Sequence, residues 1–349
     1  MKKFYLLFLL LTVTLLHPDL AFGIEDCRIT GKISLGYDDH VSEQSESKAG
    51  RPFINLYLDS RFPLPRFKRL EGTFRLQNGF KIIREEENIA LNQVDLRFGL
   101  SLWPKITSEI IQELKQKTVP VSTNSPVQYE YGYLYWHSGL SFKYNGDTFR
   151  SSIRYLWRHQ DYQDADFFDS DNQQTQFTIN TLLSPKLTGF LTGKAERIRF
   201  SKEGEFDPEW KEERIDTLYG LSVGFEWLDV ILINPTYTLH KNRSQQREYD
   251  YYAHHWSILA AIPLWWETTL QCYGHLQRRD YDSTPPPPSL PFDEENTEQL
   301  HKLLVVSLSK DVLTHCSLEL RYMLSQSDPS MSSFGYKKQS YSFGVSYTF

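Results

Sequence analysis

The sequence predicts an all-β fold, a transmembrane antiparallel up-and-down β-barrel of about 16 strands that closes on itself. Three observations favour this fold. Apolar and polar residues alternate along most of the chain after residue 28, tight turns alternate with longer polar connections, and the chain ends on a regular aromatic strand at Phe349. Alternation with a period of two is typical of strands whose two faces meet different surroundings.

The composition of the 349-residue chain agrees with alternating strands. Aromatic residues make up 15% of the chain, yet the mean hydropathy is −0.48. The apolar residues are therefore spread out instead of grouped in runs. The formal net charge of −6 argues against nucleic-acid binding. The three cysteines, Cys27, Cys272 and Cys316, are odd in number and widely spaced, so we expect no disulfide framework.

The N-terminus has the features of a secretory signal peptide. Lys2 and Lys3 precede the apolar stretch 4–16, which is too short to cross a bilayer as a helix. Ala21 and Gly23 supply the small residues of a cleavage site, so we expect cleavage after Gly23. We therefore predict a signal peptide at residues 1–23, followed by a membrane β-barrel domain at residues 24–349.

The predicted strands are the alternating segments between turn signals. Alternation is clearest at Ile215–Trp227, Phe149–Trp157 and Val94–Leu102. Segment 105–118 also matches a helical period, but it is assigned as a strand because its loss would break the alternation of short and long connections. The resulting spans are 28–38, 51–62, 66–82, 88–103, 105–118, 127–145, 147–161, 172–184, 186–201, 212–228, 230–244, 249–263, 265–282, 298–310, 312–326 and 337–349.

The tight turns all lie at one end of this arrangement. Asn145-Gly146-Asp147 is the strongest hairpin signal. The other tight turns contain Pro or Asp, and longer polar connections lie between them. An even strand number places both termini at the tight-turn end. The remaining tight turns are predicted near residues 63, 104, 185, 229, 263 and 311.

Strand length and aromatic placement point to a membrane. The predicted strands average about a dozen residues, whereas about 5–6 is typical of soluble sheets and about 9–11 suit a tilted membrane span. In lipid every backbone N–H and C=O must be paired, so strands can span only as a closed barrel. A secreted soluble all-β protein is the alternative, because half-buried antiparallel sheets also alternate.

Aromatic residues are expected to form two girdles, one at each membrane–water interface. By the tight turns we expect Trp103, Tyr144, Trp227, Trp265, Trp266, Tyr347 and Phe349. By the long connections we expect Tyr129, Tyr131, Tyr162, Tyr249, Tyr251, Tyr252 and Tyr281.

The final strand resembles the C-terminal strand of bacterial outer-membrane β-barrel proteins, a class that includes porin-like proteins. The residues that carry the resemblance alternate with Ser, Gly or Thr, and they are Tyr341, Phe343, Val345, Tyr347 and Phe349. The resemblance implies a location in the bacterial outer membrane, with both termini periplasmic. It also implies that the barrel-assembly machinery recognises this strand as an assembly signal.

The polar faces of the strands would line the lumen, which in a barrel of about 16 strands is wide enough for water. Arg150, Arg154 and Arg158 form the best candidate for a basic ladder, which would bias a pore toward anions. The alternative is that opposite charges pair across strands and brace the wall. Assigning each strand by its apolar face gives the pore-lining candidates Arg75, Lys81, Asp95, Arg97, Arg150, Arg154, Arg158, Lys194, Glu196, His315, Glu319 and Arg321.

These features favour a porin-like channel for passive diffusion of small hydrophilic solutes through a charged lumen. Two alternatives stay open: a barrel that exports or assembles a polymer or surface protein, and a barrel enzyme that hydrolyses lipid or peptide. His137 and Ser138 are adjacent and so point to opposite faces of a strand, and the cluster around His40 lies in a predicted loop. We therefore expect no catalytic residues, and also no cofactor or bound metal ion.

Two long connections have unusual compositions. The connection Asp161–Asp171 is acidic, and the stretch near residues 282–297 contains a run of prolines that favours a stiff polyproline II spur. The expected partners are outer-membrane lipid and lipopolysaccharide, the barrel-assembly machinery and small solutes. We expect no nucleic acid among them, and an oligomer is possible.

Overall fold

The computed structural model describes residues 27–39, 50–83, 89–119, 132–163, 169–200, 214–282, 300–328 and 336–349. Within them the strands are β1 Arg28–Asp38, β2 Arg51–Phe67, β3 Leu70–Ile83, β4 Ile89–Trp103, β5 Ile106–Thr118, β6 Tyr133–Asn145, β7 Phe149–Tyr162, β8 Ser170–Ser184, β9 Leu187–Phe200, β10 Ile215–Leu228, β11 Leu232–Ser244, β12 Tyr251–Pro263, β13 Thr268–Tyr281, β14 Leu300–Leu313, β15 Cys316–Asp328 and β16 Tyr336–Thr348.

These 16 strands form one closed antiparallel barrel, so the predicted fold class is confirmed. Each strand pairs with its neighbours in sequence, and β16 pairs with β1. A 3-10 helix, Arg247–Tyr249, follows β11. Within the described ranges, no helix has the length and apolar character needed to cross a membrane. The predicted signal peptide, 1–23, lies outside the described residues.

Segment 106–118, which also matches a helical period, is a strand. β5 pairs along its length with β4 on one side and β6 on the other. The two neighbouring strands supply partners for its backbone groups, and this tertiary pairing outweighs the local helical period.

The connections alternate in length, as predicted, and the tight ones share one end of the barrel. Lys105, between β4 and β5, places its Nζ 3.1 Å from Oδ2 of Asp147, between β6 and β7. This hydrogen bond ties two neighbouring turns together and raises the pKa of the exposed Lys105 ammonium. The strand ends from which the long connections leave, including Asp38, Phe200 and Tyr281, lie at the opposite end.

Two predicted tight turns are in the wrong place. β2 continues through Pro63 and turns at Lys68, whose φ is 51°. Pro63 lies beyond Arg61, the last residue of β2 opposite β1, and a residue without an N–H is tolerated where one side of a strand has no partner. At the other position, β14 continues through Asp311 with a register shift before the turn.

The two faces of the barrel have inverted polarity compared with a soluble protein. In β1, Ile33 and Leu35 are 57% and 56% exposed, whereas Ser34 between them is 7% exposed. Asp95 and Glu196 are likewise buried on the face that Ser34 shares. Since exposed apolar rows are stable only against lipid, the outer face is the membrane face.

The aromatic girdle at the tight-turn end is placed as predicted. Trp103 and Phe349 are 63% and 73% exposed, and Trp265 and Trp266 lie in the turn after β12 at 77% and 81% exposure. Tyr144, Trp227 and Tyr347 are also exposed.

The prediction for the girdle at the long-connection end is largely wrong. Tyr251 and Tyr281 pair with each other on the inner face, Tyr162 is inward by register, and Tyr249 is buried beneath the Arg214 guanidinium. Tyr252 is on the outer face, and Tyr129 and Tyr131 lie outside the described residues. Exposed rings lie further along the strands instead, at Tyr37, Trp136, Tyr155, Tyr219, Trp256 and Tyr341.

Strands β1 and β16 close the barrel. Their pairing runs from Thr30 opposite Thr348 to Asp38 opposite Ser340. The Phe349 N–H donates to the Ile29 carbonyl at 2.8 Å, so the last residue takes part in the closure. On the inner face Lys32 of β1 forms an ion pair with Glu319 of β15, spanning β16 between them.

The closing strands leave no room for a side chain at Gly36. A Cβ there would lie 2.6 Å from the Tyr341 carbonyl oxygen and 2.3 Å from the Phe53 ring, whereas a Cβ at Gly31 of the same strand meets nothing within 4 Å. Overpacking of this kind costs about 1–3 kcal/mol. We expect Gly36→Ala to lower the temperature at which heat shifts the gel mobility of the folded barrel.

Gly31→Ala is the matched control, because it adds the same methyl group to the same strand. Its transition temperature should equal that of the unmodified chain. Equal transition temperatures for the two variants would contradict the close packing at the β1–β16 closure.

Candidate functional site

The inner wall carries the charged residues that the sequence singles out. Register places eleven of the twelve on the inner face: Arg75 and Lys81 in β3, Asp95 and Arg97 in β4, Arg150, Arg154 and Arg158 in β7, Lys194 and Glu196 in β9, and Glu319 and Arg321 in β15. The twelfth, His315, was predicted within a strand, and this is wrong. It lies in the turn between β14 and β15, with its ring 6.1 Å from that of Tyr347.

Between β1 and β6 many of the inner-wall charges form ion pairs. Arg75 donates two hydrogen bonds to Asp59, at 2.8 and 2.6 Å, and Arg97 donates two to Asp95, at 3.0 and 3.2 Å. Two-bond contacts between a guanidinium and a carboxylate are strong and directional. Further pairs join Lys81 to Asp38 and Lys143 to Glu109, each at 2.6 Å. These pairs brace this part of the wall, and within each pair the opposite charges largely cancel.

Glu196 in β9 is the centre of a second, buried group. Its side chain is 5% exposed and forms ion pairs with Arg158 of β7 and Lys194 of its own strand. Asn172 of β8 donates to the same carboxylate, and Gln174 accepts from Arg158. The predicted basic ladder is therefore interrupted, since the third arginine of the row is paired with a carboxylate.

Arg150, Arg154 and Arg321 differ from the inner-wall cations that form ion pairs. Among the described residues, none of the three has an ion-pair partner. The side chains opposite Arg154 are Ser141 and Gln176, and those opposite Arg321 are Ser307 and Ser342. The residues directly opposite Arg154 and Arg321 are neutral, so these guanidinium charges project their field into the lumen.

Two of these arginines lie on opposite walls. β7 and β15 are eight strands apart in the ring of 16. Arg154 and Arg321 are each the sixth residue of their strand counted from the tight-turn end, which places them at similar depth. A barrel of this size measures roughly 30 Å between opposite backbones, given strands about 4.8 Å apart and tilted by about 40°. The two cations therefore flank the same section of the lumen.

The inner wall also carries a row of histidines that the sequence analysis did not group together. His240, His255, His275 and His301 come from β11, β12, β13 and β14, with successive ring centroids 4.7, 5.6 and 6.2 Å apart. The sequence does carry a signal for this row, because each of these histidines occupies one of the alternate positions that hold the inward polar residues of its strand. No group of three or more His, Cys, Asp or Glu within the described residues is arranged to hold a metal ion.

The residues weighed for an enzyme point to different faces. His137 is inward, 3.4 Å from Glu113, whereas Ser138 is outward and donates to Gln112 at 2.7 Å. His254 is outward and stacks on Trp256, opposite to its inward neighbour His255. His40 and most of the proline-rich connection lie outside the described residues, as does the middle of the acidic connection, 164–168.

The barrel is similar to solved structures of outer-membrane proteins. It matches outer-membrane expressed OmpT of Vibrio cholerae with a TM-score of 0.51 and 11% identity, over 93% of this chain and 97% of the other. It matches a loop L8 deletion mutant of that protein with a TM-score of 0.52 and 10% identity, over 93% and 98%. No protein-family model and no curated protein matches the chain. At these identities the likeness concerns the fold alone.

Proposed function

We propose that the chain forms a porin-like channel in the bacterial outer membrane, through which small hydrophilic solutes diffuse passively with a preference for anions. The observation that carries this proposal is the pair Arg154 and Arg321, which lie on opposite walls without a carboxylate partner among the described residues. A closed barrel of 16 strands supports a water-filled lumen.

Selectivity follows from which charges remain uncompensated. A solute that enters the lumen meets ion pairs on β1 to β6, and the fields of the two members of each pair largely cancel at a distance of a few ångströms. Near β7 and β15 it meets guanidinium groups with neutral neighbours. Those groups lower the energy of an anion in this section and raise that of a cation. No conformational step is required, so transport is diffusive.

The proposed location in the outer membrane rests on the exposed apolar outer face, the aromatic C-terminal strand and the fold shared with a Vibrio cholerae outer-membrane protein. Both termini then lie on the periplasmic side, with the tight turns. The proposed partners are lipid, lipopolysaccharide, the assembly machinery and the permeating solutes. Fractionation of the expressing cell tests the location, and recovery of the chain in the soluble fraction would contradict it.

Charge reversal at Arg154 tests the proposed channel. We expect the unmodified chain to give discrete conductance steps in a planar lipid bilayer, with a permeability ratio that favours anions. Arg154→Glu and Arg321→Glu should each lower the anion-to-cation ratio, because each replaces a positive field in the same section by a negative one. The readout is the reversal potential in a salt gradient.

Lys310→Glu is the matched control. Lys310 is exposed on the outer face of β14, so the same charge reversal there should leave the permeability ratio unchanged. Absence of conductance steps in the unmodified, heat-modifiable barrel would contradict the channel. A ratio that responds equally to all three reversals would contradict the assigned roles of Arg154 and Arg321.

Replacing the buried carboxylate of Glu196 should affect selectivity and stability together. Glu196→Gln keeps an acceptor oxygen but leaves Arg158 and Lys194 without their counter-charge. Hydrogen bonds to charged groups contribute about 1.5–3 kcal/mol, so the heat-induced gel transition should move to lower temperature. The anion-to-cation permeability ratio should rise, because two more cations act on the lumen.

Glu226→Gln separates the two effects. Glu226 is exposed on the inner face of β10, and it has no ion pair with any other residue that the structure describes. Its replacement should raise the anion preference without lowering the transition temperature. Equal transition temperatures for Glu196→Gln and Glu226→Gln would show that the Glu196 group does not stabilise the barrel.

A further inference from the structure

The outer face carries a group of cations near the long-connection ends of β9 and β11. Arg197 and Arg199 in β9 and Lys241 and Arg243 in β11 share the parity of the lipid-facing residues Tyr219 and Leu221 in β10 between them. We call these four residues the outer basic patch. Arg197 and Arg243 both lie opposite Thr217, so their backbones are about 9.6 Å apart, or two strand spacings.

Two arginines of the outer basic patch line a cavity on the outer wall. The cavity has a volume of about 150 Å³, and its lining comes from three adjacent strands: Trp157, Asp171, Gln173, Arg197 and Arg199. Register places all five side chains on the outer face. Asp171 faces His159, whose Nδ1 lies 3.0 Å from its Oδ1. The site combines guanidinium donors, an amide and an indole at the edge of the membrane face.

Cations on the outer face need a negative partner or water. A charge facing hydrocarbon at the midplane costs about 2–4 kcal/mol, and the cost falls to about 0–1 near the interface. Arg197 and Arg243 are exposed, and within the described ranges neither forms a hydrogen bond or an ion pair. Tyr219 lies diagonally next to both of them on the membrane side, as interfacial rings do. The patch therefore lies at the height of lipid headgroups.

We infer that the outer basic patch binds the phosphate groups of a glycolipid in the outer leaflet of the membrane, an inference that rests on the membrane location proposed above. The guanidinium fork matches the geometry of phosphate oxygens, and cations on two strands can contact a headgroup that carries more than one phosphate. A second copy of this chain related by a two-fold axis is the poorer occupant, because it would place cations against cations.

Binding of a defined glycolipid tests the inference. The probe is bis-phosphorylated lipid A in detergent micelles, with dephosphorylated lipid A as its counterpart and EDTA present to remove bridging divalent ions. The double variant Arg197→Gln/Arg243→Gln should bind the phosphorylated lipid at least about tenfold more weakly than the unmodified chain. The dephosphorylated lipid should bind both proteins weakly.

The inner-wall double variant Arg150→Gln/Arg154→Gln is the matched control, because it removes the same two charges from the other face. It should keep the lipid affinity and lose anion preference, whereas Arg197→Gln/Arg243→Gln should keep the permeability ratio. Failure of the channel and failure of the lipid site are thus distinguishable. Equal lipid affinity in the unmodified chain and the outer variant would overturn the inference. A change in oligomeric state on sedimentation, without a change in lipid affinity, would overturn it in favour of self-association.

Discussion

The backbone hydrogen bonds between β16 and β1 are the contacts on which the rest of the structure depends. In hydrocarbon an unpaired N–H or C=O costs several kcal/mol. The other fourteen strands can therefore span the membrane only if the first and last strands also pair, because otherwise two edges would be left unpaired in lipid. Register across this closure aligns Thr30 with Thr348, and Phe349 still donates to Ile29 beyond it. Because pairing preserves side-chain parity from strand to strand, this one closure keeps the apolar rows outside and the polar rows inside around the whole ring.

Charged residues on the inner face are partly removed from bulk water, which costs free energy. Ion pairs on the inner wall offset part of that cost. Charges removed from bulk water are stable when they are paired and hydrogen-bonded, and Arg75 with Asp59 and Lys81 with Asp38 meet that condition. The wall between β1 and β6 is therefore structural. Arg154 and Arg321 have no ion-pair partner among the described residues, and their half-buried or exposed side chains reach water in the lumen.

Sequence alternation predicts the strands, their number and the closure, because lipid on one side and water on the other impose a strict period of two. The prediction from alternation fails where the end of a neighbouring strand, the inward face of a strand end or a register shift decides the structure. Pro63 signalled a turn, but the strand continues past it because β3 still pairs with it, and the missing N–H is tolerated because β1 has no residue opposite. Tyr251 and Tyr281 lie at strand ends but face inward, because parity and not proximity to an end decides the face. His315 fell into a turn through a register shift in β14 that no local pattern marks.

Ion pairs between side chains two strands apart are the feature that is hardest to predict from the sequence. The arginines of β7 illustrate why. Arg154 and Arg158 have equivalent positions in the alternating pattern. Across β8, Arg158 opposes Asn172, and Glu196 opposes the next inward residue, Gln174, so the carboxylate reaches the guanidinium at 2.6 Å. Arg154 opposes Gln176, and Gln176 opposes Lys194, which offers a second cation. Register in a third strand thus neutralises one arginine and leaves the other to act on the lumen.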